Sequence, residues 1–467
     1  MRTLVLAIGI SMTLAACDGH DPAPPSPRLV PGGGIGDGPI NGLMNVYVTD
    51  EESDAPVAGA AVRVGTSAAP SPCLGTTDST GLVVFDRRSC PSLQGPQTVT
   101  ASASGHAPAT WIGVGGANIT MTLRRTGTPA LETAEISGTI EGWDSLPAPA
   151  ANHNTLGIVG YSHTRTLGDR ANEIAQGMRT VLVAGIIPVP VPANVCVRTR
   201  EVSDCAWRLT TRVGRQAHYA VIVDQDTKGT ASDADDTYSV TGWAIKTGLT
   251  FAAGEMVGGE ALARIPDSGM ITMAVAFGSA PSGLDDVVAL PIVDLGAEGR
   301  LIVAAPRLDT TSTSARVPAL TGALGSATYD VIGRAQDAAN VDQPSTLTWL
   351  HGVNPGGTVM LGSWLPPPAA ITAAAGRYSF EAVAGATLHG AELKAASADE
   401  TLWSVSIFDG STTFTLPGLV PDPLPAGMVR LVTNAIEIPG INLRDVAFDQ
   451  AREKLTRLSS DALTFTR

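Results

Sequence analysis

The residues best placed to do chemistry lie in the run Asp224-Gln225-Asp226-Thr227-Lys228-Gly229, continued by Ser232, Asp233, Asp235 and Asp236. Alternate carboxylates put oxygens on one side of a loop, a glycine at the sixth position permits a sharp bend, and Asp235 at the twelfth could close a calcium shell. Asp224, Asp226 and Asp235 are therefore the expected ligands. Lys228 stands where a further oxygen belongs, and Asp235 is a methylene shorter than the glutamate such loops favour; the competing reading is a solvated acidic turn. Calcium is the one cofactor the sequence suggests.

Other reactive patterns stop short. Gly160-Tyr161-Ser162-His163 begins like the strained strand-to-helix turn of a serine hydrolase, but Thr164 stands where a second glycine is needed. No complete GxSxG, SxxK or HExxH occurs. His153 and His163 have a spacing without meaning for a metal. His389-Gly390-Ala391-Glu392 has the first two ligands of a metallocarboxypeptidase, yet no histidine follows to complete the set. A carboxylate pair assembled from distant strands, as in a glycosidase, cannot be read from spacing. An aromatic content of 4% argues against a sugar-stacking cleft.

The five cysteines divide cleanly. Cys73 with Cys90 and Cys196 with Cys205 form local pairs, and neither has the spacing or the nearby histidine of a zinc site, so both are expected disulfides. Cys17 stands apart. Arg2 provides a positive start, Leu4 to Ile10 a short apolar core, and Leu14-Ala15-Ala16-Cys17 the close of an export signal. This cluster resembles the lipobox of bacterial lipoproteins. The resemblance implies removal of residues 1–16, acylation of Cys17, and attachment to a membrane through lipid, for which several acyl chains suffice. No other stretch approaches the roughly 20 apolar residues of a spanning helix. Asp18 resembles the inner-membrane retention signal of enterobacterial lipoproteins, a rule that not every lineage follows, and inner and outer membrane both stay open.

Composition sets the frame for these groups. Charged residues are 16% and hydrophobic residues 44% of 467 positions, while 51 Gly and 33 Pro punctuate the chain. Short strands and many turns follow, and an all-β fold of antiparallel sandwiches on a tether is expected. A net charge of −14 and a pI near 4.9 repel nucleic acid and anionic lipid headgroups, so both are poor partners.

Residues 17–40, rich in Pro and Gly with little to bury, read as a tether. Residues 41–125 read as a β-sandwich: Val46 and Val48 alternate, Pro56 to Ala60 precedes Val62 and Val64, Thr77 to Gly81 makes a turn before Phe85, and Thr98 to His106 follows. Those segments, in that order, resemble the carboxypeptidase regulatory-like family, a transthyretin-like sandwich. The resemblance covers about a fifth of the chain and implies spacing, stabilisation or binding, with no catalytic residues. Residues 126–256 and 257–467 read as two further β-rich domains, a propeller being the alternative. Alternation at Ile271, Met273, Val275 and Phe277, and at Trp403, Val405 and Ile407, marks strands. Helix is scarce, and the only charged segments that could take it are Arg170 to Arg179 and Asp445 to Leu458.

The sequence thus points to a non-enzymatic, lipid-anchored envelope protein for adhesion, assembly or ligand binding, whose partner would be an envelope protein or a glycan. A secreted glycan- or peptide-directed hydrolase and a structural stalk are the alternatives.

Overall fold

Period-two alternation carries straight into structure. The strand Thr401–Ile407 buries Trp403, Val405 and Ile407 and leaves Leu402, Ser404 and Ser406 half-exposed. In the computed structural model residues 27–51, 53–65, 73–126, 133–162, 193–230, 236–302, 312–337, 344–396, 400–419 and 422–467 are described. Cys17 with the export signal, Asp235, His163 and the expected helix Arg170 to Arg179 lie outside the described residues.

The described chain is strand after strand, arranged in sheets of five, eight, three, twelve and three strands. The all-β expectation holds. The propeller alternative does not, because blades would be separate sheets of about four strands each and these sheets are unequal and shared between distant segments.

Residues 41–125 form two facing sheets. One carries Leu43–Asp50, Leu82–Asp86 and Gly116–Leu123; the other carries Ala61–Val64, Cys73–Thr76, Gln97–Ser102 and Ala109–Val114. Met44, Val46, Phe85, Ile119 and Met121 meet Val62, Val99, Ala101 and Trp111 between them. Burial of each such aliphatic or Phe side chain contributes about 1.5–3 kcal/mol relative to exposure. The module is not self-contained, however. Thr110 to Ile112 pair in parallel with Val405 to Ile407, which extends its second sheet into the twelve-stranded one. Ile438, Val446 and Ala451, from far along the chain, complete its core.

The expected tether ends earlier than residue 40. Gly34–Pro39 is a strand, paired with Gly116–Leu123 on one side and Val446–Ala447 on the other, and Val30, Ile35 and Ile40 are buried. Glycines suggested slack here, but they serve close approach: a Cβ on Gly34 would lie 2.3 Å from the Val446 carbonyl oxygen.

The boundary expected at residue 256 also moves. Met256 opens the strand Met256–Arg264, which pairs in parallel with Thr133–Ile140 and antiparallel with Thr237–Phe251, so one eight-stranded sheet takes in residues 133 to 264. Its long strand Gly214–Asp226 is buried on both faces. Tyr219, Val221 and Val223 enter a core shared with Met273, Val275, Val293, Tyr329 and Val331, while Ala220 and Ile222 enter a second with Trp207, Phe251 and Leu262. The expected C-terminal helix shrinks to Phe448–Arg452, and Arg457–Thr466 is instead a strand between Ser345–Val353 and Met428–Glu437. Leu458 and its neighbours pair across the ladder, and tertiary context overrides local propensity there.

Candidate functional site

The described part of the acidic run, Asp224 to Thr230, is a strand end followed by a turn. Asp224 and Asp226 are the end of the strand Gly214–Asp226, laddered against Ser239 and Thr237 on one side and Thr155 and His153 on the other. Their period-two spacing puts both on one face, where His153 meets them: Nδ1 is 2.8 Å from Asp224 Oδ2 and Nε2 is 3.9 Å from Asp226 Oδ1. Lys228 turns back, its φ at +51°, so that its amide donates to Asp226 Oδ1 at 2.9 Å and its ammonium pairs with Oδ2. Those hydrogen bonds hold the Asp226 carboxyl below the usual range. Lys228, the departure noted in the sequence, thus sits on a carboxylate the loop would need. Among the described residues no three His, Cys, Asp or Glu side chains are grouped to hold a metal.

The other reactive candidates are tied into the fold. Ser162 is fully buried; its hydroxyl donates to the Glu298 carbonyl and accepts the Ala217 amide at 3.0 Å. His389 and Glu392, three apart on the strand Leu388–Ala395, fall on opposite faces and cannot share a metal. His389 Nε2 accepts the Val383 amide at 3.2 Å, and burial pushes the imidazole down, so the ring is neutral. Glu392 instead meets Lys394 at 3.4 Å and Arg124 at 4.0 Å. Cys73 with Cys90 and Cys196 with Cys205 are disulfide-bonded, Cα atoms 5.2 and 4.2 Å apart. His106 docks on Asp50 at 3.1 Å beside Arg125 at 2.6 Å. Burial alone would raise the Asp50 carboxyl, yet hydrogen bonds from Ser53, Arg125 and His106 bring it down to about 2.

Two buried clusters were not visible in the sequence. In the first, His218 and Glu260, both almost fully enclosed, meet at 2.7 Å, with the imidazole stacked on Phe251 at 5.1 Å. Thr211 donates to Gln216 at 2.8 Å, its neighbour pair on the same interior face.

The second gathers buried charge from four strands. Asp286–Asp294, Arg300–Ile302, Thr328–Gln336 and Ser345–Val353 lie together at one end of the twelve-stranded sheet. Arg300, 2% exposed, donates from Nε to Asp294 at 3.1 Å and approaches Asp330 at 3.9 Å. Asp330 Oδ2 accepts from Trp349 Nε1 at 3.2 Å and from His351 Nδ1 at 3.1 Å, and Oδ1 accepts the Gly352 amide at 3.1 Å. Trp349 stacks on His351 at 5.0 Å and on the Arg300 guanidinium at 5.4 Å. Burial acts to raise the Asp330 carboxyl, but His351, Gly352 and Arg300 outweigh it and leave it below its ordinary value.

This is a histidine and aspartate pair of the kind that orients a general base. The second nitrogen decides its chemistry: His351 Nε2 lies 2.8 Å from the Leu455 carbonyl oxygen. A carbonyl only accepts, so Nε2 must carry a proton to make this bond, and while it does that nitrogen has no lone pair for base work. The arrangement can hold charge and bind strands together. Its residues carried no sequence signal beyond being ionisable groups in otherwise apolar strands.

No family model matches this chain, and neither does any curated protein. Among solved structures, it is similar to the Bacillus anthracis TIE protein at 8% identity and a TM-score of 0.15, over 69% of this chain and 50% of that one. A tetra-tandem repeat from the extending region of a large adhesion protein matches at 11% identity and a TM-score of 0.14, over 91% and 98% of the two chains. The pilus adhesin SpaC from Lactobacillus rhamnosus GG matches at 10% identity and a TM-score of 0.14, over 82% and 44%. The chain thus spans half the length of the first and less than half of the last. Likeness at this level supports nothing beyond what the strands themselves show.

Proposed function

We propose that this chain is a lipid-anchored protein of the bacterial cell envelope that works by binding or assembly, not by catalysis. The observation that carries the reading is where its reactive groups point. Ser162, His351 and the four paired cysteines each have their reactive atoms engaged by buried partners of the same chain. Such groups stabilise a body and present nothing to a substrate. The two disulfides suit a chain that folds in an oxidising compartment, in line with the export signal at residues 1–16. The two-sheet arrangement of residues 41–125 supports the proposed kinship with the carboxypeptidase regulatory-like sandwich, whose role is spacing or binding.

Anchoring at Cys17 would hold this body close. The folded chain has begun by Val30, and the thirteen residues from Cys17 can span at most about 45 Å. An envelope protein or glycan is the partner class this reading favours. The test is Cys17→Ser in the native host. The variant is expected to leave the membrane fraction, to lose labelled fatty acid, and to keep the circular dichroism of the folded body. Membrane retention of the variant would overturn the anchoring.

A further inference from the structure

We propose that His351 is a proton-gated clamp on the turn before the last strand: charged, it holds the Leu455 carbonyl to the strand Ser345–Val353, and neutral, it lets that carbonyl go, leaving the turn on the Trp349 amide bond to the Thr456 carbonyl at 2.7 Å. Nδ1 faces Asp330 Oδ2 at 3.1 Å and Nε2 faces the Leu455 carbonyl at 2.8 Å. Neither partner can donate, so only an imidazolium makes both bonds. A neutral ring keeps a single N–H. The carboxylate is the stronger acceptor, which makes the Leu455 bond the one given up.

The charged groups around the ring come from several elements. Asp330 faces it from Thr328–Gln336, and Arg300, itself held by Asp294, from Arg300–Ile302. Trp349 of its own strand covers one face. In the turn, Glu453 and Lys454 carry opposite charges, and beyond it Arg457 pairs with Glu437 at 2.6 Å. Burial pulls the imidazole down, and Arg300 acts the same way, but the bonds to Asp330 and Leu455 outweigh both and raise it above its ordinary 6.5. A raised value in the folded state means that the tie contributes fully below the unfolded value and is lost as pH rises through the folded one.

The position of the turn gives the clamp its reach. It follows the helix Phe448–Arg452, whose Phe448 ring packs on Trp111 of the N-terminal sandwich at 5.1 Å, and it precedes Arg457–Thr466 within the twelve-stranded sheet. Releasing it loosens a joint between the sandwich and the rest of the molecule.

The test is amide hydrogen exchange on the full chain in detergent from pH 5 to 9, corrected for intrinsic exchange. Peptides covering 449–456 should lose protection by up to about tenfold for each pH unit that separates the folded and unfolded values. Peptides covering 97–102 should not. His351→Gln, whose two N–H donors sit on one nitrogen instead of at the two ring positions, should show the loosened level at every pH. Should that variant not fold, the imidazole resonance of wild-type His351 still decides: it is expected doubly protonated at pH 6 and to titrate above 6.5. Flat protection in the wild type, a neutral ring at pH 6, or a pH step that survives in His351→Gln would each overturn the clamp.

Discussion

The Asp330 carboxylate is addressed from four sides, by Trp349, His351, Gly352 and Arg300. Asp330→Asn keeps the shape and removes one of the carboxylates that face the buried Arg300 guanidinium. Breaking a buried pair in this way costs about 3 kcal/mol, read as a lower urea midpoint with an unchanged slope. The pH dependence has two arms of opposite sign. The Asp330 carboxyl is lowered from 3.8, so its contribution is complete above that value and is lost as acid drives the pH through the folded one. Asp50, at about 2, adds to the same acid arm, whereas His351 acts on the alkaline arm. Wild type should therefore lose an acid-side component of stability that Asp330→Asn no longer shows. The disulfides were legible in the sequence because each pair is local. Asp330, His351 and Leu455 were not, because cross-strand register and a distant turn bring them together, and no spacing along the chain encodes that.

At the scale of elements, alternation located the strands well, and it failed where glycine and proline dominate. Gly34–Pro39 was read as tether because its composition offers little to bury; its backbone, not its side chains, does the pairing. Gly138 shows the same principle inside the eight-stranded sheet. A Cβ there would lie 1.9 Å from the Glu260 carbonyl oxygen and 2.8 Å from the Trp207 ring. Gly138→Ala is expected to push apart the parallel pair Thr133–Ile140 and Met256–Arg264, at a cost of about 3 kcal/mol. A melting temperature within a degree of wild type would mean that the two strands can separate freely. The helix expected near the C-terminus failed for a different reason: a slot between two strands was available to residues 457–466, and a charged, helix-compatible segment gives no sign of that vacant ladder.

For the whole molecule, domain boundaries were the least legible property. The sequence suggested separate modules, but one sheet runs from Cys73–Thr76 through the N-terminal sandwich to Arg300–Ile302, and residues 438 to 451 complete a core begun near residue 35. Contacts of such long sequence separation leave no local trace. Calorimetry should accordingly give one dominant transition in which the N-terminal sandwich melts with the body. Two well-separated transitions would show the shared sheet to be a weak seam. The strand Gly34–Pro39 has a mechanical consequence as well. It is flanked on both sides, by Gly116–Leu123 and by Val446–Ala447. Tension entering through the residues before Val30 and directed along that strand loads its hydrogen bonds in shear, together, instead of peeling them one after another. Because one of those flanks belongs to the C-terminal part of the chain, the load is divided at once between the two ends of the sequence, and the attachment yields late and abruptly.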